Sequence, residues 1–249
     1  MLNAIYILWL RQLKRYVRSK ARMIGSLGQP LLFLIALGFG FGPIYSKAGG
    51  GNYIQFLAPG VIAMGIMFTA VFTGIEVIWD RQFGFLKETM VAPVPRSIIM
   101  IGRTLGGATV ATIQGVIVFL LTLVVGFRPQ HWGLVPVALF FMFLMAMLFT
   151  AFGTAIASRM QDMQAFPLIM NFLVMPMFFL SGALFPLSGL PAGITVVATV
   201  NPLSYGVDGL RGALVDGFHF GFSIDMLALI GGAILFTAIG SWLFSGVEV

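Results

Sequence analysis

Few residues in this chain could do chemistry, and their placement narrows what that chemistry is. Its two histidines, His131 and His219, stand apart as loop residues, neither with a second ligand at metal-binding spacing. Cysteine is absent, which removes thiol chemistry and disulfides. No G-x-x-x-x-G-K-[ST] run occurs, so the chain does not bind ATP through a P-loop. G-x-S-x-G and H-E-x-x-H are missing too, and Gly38, Gly40 and Gly42 run into Pro43 without completing G-x-G-x-x-G. Glu76, Asp80, Asp162, Asp225 and Glu248 map to the ends of apolar runs, and Asp208 and Asp216 to a proline-divided segment before the last run. Proton- or cation-driven carriers need ionisable groups inside the bundle. The chain is therefore read as no enzyme by itself, with energy for uphill transport expected from another subunit.

One charged island stands out: residues 79–96, WDRQFGFLKETMVAPVPR. A helix through 81–91 puts Phe83, Leu86 and Met90 on one side, with Arg81, Lys87 and Glu88 around the rest. Pro93 and Pro95 then force an extended exit. Two readings fit equally: an amphipathic helix lying on the bilayer, or an apolar ridge entering a groove on a partner.

The elements that must position this island are membrane spans. Of 249 residues, 59% are hydrophobic and 9% charged, with mean hydropathy +1.02. Soluble domains carry roughly 25% charged residues, so this surface cannot face water. Apolar runs predict spans at 25–45, 53–77, 97–127, 132–157, 164–184 and 224–244. Pro30 suits an early position of the first, and Pro59-Gly60 marks a kink or the start of the second. Glu76, Asp80 and Arg81 are expected at the interface, and Arg103 to reach the headgroups. Gly102 and Gly106 form a small-xxx-small pair, repeated by Gly107 and Ala111, which predicts close helix contact. Residues 163–207 carry no charge and are divided by five prolines. Beyond the fifth span this predicts two half-helices, 191–200 and 203–215, in a re-entrant hairpin spanning 186–217.

Residues 1–24 form their own unit, an amphipathic interface helix, ahead of a single transmembrane domain at 25–249. At 100° per residue, Arg11, Lys14, Arg15, Arg18 and Arg22 fall within one arc about 100° wide, opposite Leu2, Ile5, Trp9, Tyr16 and other apolar residues. That pattern suits a helix lying in the headgroup plane with its basic face to anionic lipid. The apolar stretch at 23–46 is longer than a signal-peptide core of about 7–15 residues, so the N-terminus is expected to remain. The net charge of +6 is topological and not a sign of nucleic acid. Eleven basic residues (11, 14, 15, 18, 20, 22, 81, 87, 96, 103 and 159) fall on one side and three (47, 128 and 211) on the other. The positive-inside rule then puts both termini in the cytosol.

The run at 81–96 resembles the first cytosolic loop of ABC-2-type exporter permeases, with its aromatic-Gly-x-Leu-x-Glu pattern and Ala-Pro-x-x-Arg ending. Asn201-Pro202-Leu203-Ser204-Tyr205, followed by Asp208-Gly209-Leu210-Arg211, resembles that family's C-terminal signature. The order of elements follows the family layout along essentially the whole chain. The resemblance implies an all-α integral membrane fold whose insert is a coupling helix, carried here by Arg81, Phe83, Gly84, Leu86, Lys87, Glu88 and Met90. It implies two separate ATPase subunits, which bind ATP and Mg, and a second permease copy as homodimer or heterodimer. The first, second and fifth spans and the re-entrant hairpin would line the path. It further implies residence in a prokaryotic cytoplasmic (inner) membrane and export of a hydrophobic or amphiphilic substrate: a drug, a lipid or a lipid-linked glycan. The short size and both motifs look most like drug-resistance and nodulation-type exporters, while O-antigen and capsule exporters share the architecture. A self-sufficient channel or secondary carrier is the alternative, and a membrane scaffold without transport a third reading.

Overall fold

The computed structural model describes residues 1–49, 51–85, 94–189, 191–215 and 217–245, and all their regular structure is helical. Helix α1 (Leu2–Arg18) stops at Ser19, whose φ of −98° and ψ of 70° break the helical path, and α2 (Lys20–Lys47) begins at once. Residues 1–24 are thus not one helix: Lys20 and Arg22 belong to the next. Pro30 lies well inside α2, later than its expected early position.

Helix α3 (Tyr53–Phe72) starts where the Asn52 side chain accepts the Ile54 N–H at 3.0 Å, a standard N-cap. It is the central helix, buried at nearly every position from Leu57 to Val71. Only an uncharged, small-residue-rich stretch could be enclosed on all sides in this way. The chain then breaks at Thr73-Gly74 and continues as the short α4 (Ile75–Gln82). A Cβ at Gly74 would lie 2.5 Å from the Gly153 carbonyl oxygen, and one at Gly153 would lie 2.4 Å from that of Val71. The two glycines let the backbones touch where the helix changes course.

Helix α5 (Arg96–Val125) ends at Gly126 with φ +116°, the left-handed cap that glycine takes without strain. Its Gly102 and Gly106 do mark a close contact, but the element that fills it is α1: added Cβ atoms would meet Leu8 at 3.0 Å and Gln12 at 2.6 Å. Leu8, Gln12 and Tyr16, spaced by four, are the buried stripe of α1. After a 3₁₀ turn at Trp132–Leu134 comes α6 (Val135–Arg159). Then follow α7 (Ala165–Phe179), α8 (Ala192–Val200), α9 (Pro202–Leu214) and α10 (Phe222–Ser245).

Among the described residues five helices are long and apolar enough to cross a bilayer: Lys20–Lys47, Tyr53–Gln82, Arg96–Val125, Trp132–Arg159 and Phe222–Phe244. The chain is a multi-pass membrane protein. The stretch expected as a fifth span at 164–184 is helical for only 15 residues, about 22 Å at 1.5 Å per residue. Its last turn dissolves after Phe179 into a turn with Gly182 at φ +78°. The two half-helices before the last span are present and divide at Asn201-Pro202.

Candidate functional site

The charged residues expected at the membrane surface meet inside the protein. Glu76 and Asp80, four apart on α4, share one face and are each only 2% exposed. Arg11 donates to both Asp80 oxygens, at 2.7 and 3.2 Å. Arg15, one turn further along α1, pairs with Glu76 at 3.1 Å, and Arg22 at the start of α2 donates to Glu76 at 2.8 Å. As α1 advances from 11 to 15 its partner retreats from 80 to 76, so the two ladders run in opposite directions. Arg103 on α5 closes the cluster with a short bond to Asp80 and is itself 3% exposed.

This placement corrects two expectations. Arg103 does not reach toward headgroups; it is sealed against Asp80. Glu76 and Asp80 lie near the end of the Tyr53–Gln82 helix, as expected, but enclosed by protein, where four guanidiniums offset the cost of burying them. Of the basic face, Arg11, Arg15 and Arg22 are committed to these acids, and Lys14 and Arg18 remain exposed. Four arginines against two carboxylates leave two positive charges in excess.

The far side of α4 clasps α6. Arg81 donates to the carbonyls of Ser158 at 2.6 Å and Met160 at 3.0 Å, and Gln82 donates to that of Gln161 at 3.1 Å. A cation here satisfies the free carbonyls at a helix C-terminus. Arg81 is therefore an anchor for α6. Phe83 is 79% exposed, Gly84 follows with φ +78°, and the Arg11 guanidinium lies 3.5 Å from the centre of the Phe85 ring. Leu86, Lys87, Glu88 and Met90 of the expected coupling helix lie outside the described residues.

A second constellation forms at the opposite end of α3. The Asn201 side chain caps α9 by accepting the Leu203 N–H at 3.1 Å, and it donates to the Met177 carbonyl at 2.6 Å. Pro202 takes the first helical position, where its missing N–H costs nothing. Leu203 is fully buried, and the Tyr205 hydroxyl donates to the Thr199 carbonyl at 2.5 Å. Asp208 accepts the backbone N–H groups of His219 and Phe220 at 2.8 Å. Arg211 donates to the Gly182 carbonyl at 3.0 Å and stacks over Phe56 at 4.1 Å. Burial pushes its pKa down to about 10, which leaves it a cation at neutral pH. Asp225 lies at the start of the last span, as expected, but it is fully buried there beside Asp208, and its oxygens receive no hydrogen bond among the described residues.

This layout — a basic N-terminal helix pinned to the segment entering a charged insert, and a capped helix pair before the last span — corresponds to a known protein type. A family description for the ABC-2 type transporter matches residues 3–215. The chain belongs to the ABC-2 type transporter family. Among similar ABC-2 proteins is nodulation protein J of Rhizobium leguminosarum bv. viciae, 28% identical over 77% of this chain and 74% of its own length. Two proteins named ycf38, both described as transport permeases, are also similar. That of Cyanophora paradoxa is 27% identical over 84% of this chain and 73% of its own length. That of Pyropia yezoensis is 30% identical over 78% and 68%. As an ABC-2 permease the chain is a membrane transport subunit and not a catalytic enzyme, in a family that generally works with an ATPase partner.

Sequence reasoning missed the ion-pair cluster, although a signal for it exists. Two acids at i and i+4 on α4 match two arginines at i and i+4 on α1. Their pairing needs α1 to fold back across Gly102 and Gly106, which no local pattern states.

Proposed function

We propose that this chain is the membrane-spanning subunit of an ATP-driven exporter of hydrophobic or amphiphilic substrates (drugs, lipids or lipid-linked glycans). The carrying observation is the buried cluster joining Arg11, Arg15, Arg22 and Arg103 to Glu76 and Asp80. Asp80 lies within the charged insert at 79–96, three residues before the exposed ring of Phe83. A force applied to that insert would pass into α1, α2 and α5 together. The insert at 79–96 is read as the coupling helix for a separate ATPase subunit, which binds ATP and Mg, two copies serving a pair of permeases. A 1–24 interface unit, with Lys14 and Arg18 on anionic lipid, precedes one transmembrane domain of residues 25–249. Six spans are proposed, with Ala165–Phe179 as the short fifth and 186–217 as a re-entrant hairpin. Both termini then lie in the cytosol of a prokaryotic cell, in its inner membrane.

Co-purification with the ATPase encoded nearest to this chain tests the coupling role. Phe83→Asp is expected to reduce binding at least about tenfold, the scale of one apolar anchor at an interface. Unchanged binding removes Phe83 from the docking surface, and no binding by the parent chain removes the coupling role itself.

The secondary-carrier alternative draws on one observation, the buried Asp225 beside Asp208. Such a carrier, reconstituted alone, would move solute down a proton gradient without ATP, and loss of that movement in Asp225→Asn would support it.

A further inference from the structure

Between the start of α2 and the end of α3 lies a cleft of about 400 Å³, within the range of small-molecule sites. Arg22, Ser26 and Gln29 form one stripe of α2 along its first wall. Met64, Phe68 and Phe72 form a matching stripe of α3 along the second. Tyr16 and Pro30 complete the lining, and the Tyr16 hydroxyl donates to Gln114 at 2.5 Å. Eight residues of helix separate Arg22 from Pro30, about 12 Å of depth. One end is cationic, the middle has the Ser26 hydroxyl, and toward the far end the Gln29 amide stands beside Pro30 and faces an otherwise apolar α3 wall. That is the polarity profile of an amphiphile standing in one leaflet.

We propose that this cleft binds an anionic amphiphile drawn from the membrane, its phosphate or carboxylate headgroup on Arg22 and its tail along Phe68 toward Met64. Arg22 is the charged residue of the lining, and its side chain is 30% exposed. It belongs to a cluster with two positive charges in excess, so an added anion lowers the local imbalance. Glu76 keeps its ion pair with Arg15 at 3.1 Å when Arg22 turns to a ligand, although it gives up the hydrogen bond that Arg22 donates. Occupancy of the cleft thereby loosens one of the ties on α4. Calling the ligand cargo rests on the exporter reading; its binding does not.

The test uses the full chain alone in phosphatidylcholine nanodiscs. Phe68→Trp places a reporter in the cleft, and the parent protein supplies the background from the four native tryptophans. Brominated phosphatidylglycerol should quench the added signal at a concentration about fivefold lower than brominated phosphatidylcholine does, the scale of one arginine meeting an anionic lipid. Arg22→Gln should abolish that preference and Arg22→Lys retain most of it. Glu76→Gln, which releases Arg22, should strengthen it, a change of sign that a merely structural role does not produce. Quenching by brominated phosphatidylcholine that is unchanged in Arg22→Gln shows that the cleft is intact. Equal quenching by the two lipids, or a preference surviving Arg22→Gln, overturns the site. Because no ATPase is present, that failure leaves the coupling role to its own experiment.

Discussion

Asp80 ties two helices together: Arg11 chelates it from α1 and Arg103 meets it from α5. Among the described residues Arg103 Nε and one Nη have no hydrogen-bond partner, so its burial leans chiefly on that carboxylate. Asp80→Ala strands this cation at 3% exposure and should destabilise the protein by about 3–5 kcal/mol, the usual cost of removing one member of a buried pair. Unfolding followed by circular dichroism in detergent measures it. Adding Arg103→Met to Asp80→Ala should recover part of the loss, because no buried charge is then left alone. Lys14→Ala and Arg18→Ala, at exposed positions, should change stability by no more than about 0.5 kcal/mol.

At the scale of elements, α1 is held to α5 through the groove that Gly102 and Gly106 leave open. Trp9 adds a hydrogen bond from its indole N–H to the Thr109 hydroxyl at 3.0 Å. Gly106→Val places a side chain 2.6 Å from Gln12 and should lift α1 off the bundle while the long spans stay folded. Hydrogen exchange is expected to rise across residues 2–18 and to remain slow across α3. Gly25→Ala, with open space around its Cβ position, should leave both regions unchanged. Retained protection of α1 in Gly106→Val would show that the ion pairs alone fix it. The helix pair α8–α9 is held differently, by Asn201 bridging to Met177 and Asp208 gripping the loop before α10.

For the molecule as a whole, the two polar constellations lie at opposite ends of α3, the ion-pair cluster at its C-terminal end and the capped hairpin at its N-terminal end. The 11-to-3 distribution of basic residues predicts that the first end faces the cytosol. The absence of cysteine makes a direct test available. Single cysteines at Arg18 and Arg159 should react with a membrane-impermeant maleimide only from the cytosolic side. Those at Lys47 and Gln130 should react only from the other side. The opposite pattern reverses the orientation, and a mixed one removes the six-span arrangement.

The membrane class, the positions of the long apolar helices, the split at Asn201-Pro202 and the family motifs were all legible in the sequence. Each rests on local composition or spacing, and hydrophobic run length and proline chemistry act locally. The exact ends were less legible, because α1 stops at Ser19 with no proline or glycine to announce it. Tertiary structure alone decided where the charges went. Glu76, Asp80 and Asp225 do fall near helix ends, as the rule that isolated charge avoids an apolar interior requires, but they and Arg103 are enclosed by protein. For Glu76 and Asp80 that enclosure is offset by partners from elsewhere in the chain, Arg11 and Arg15, across more than sixty positions. Pairing at that distance depends on the path of the backbone, and so does the cleft that the same fold opens beside Arg22.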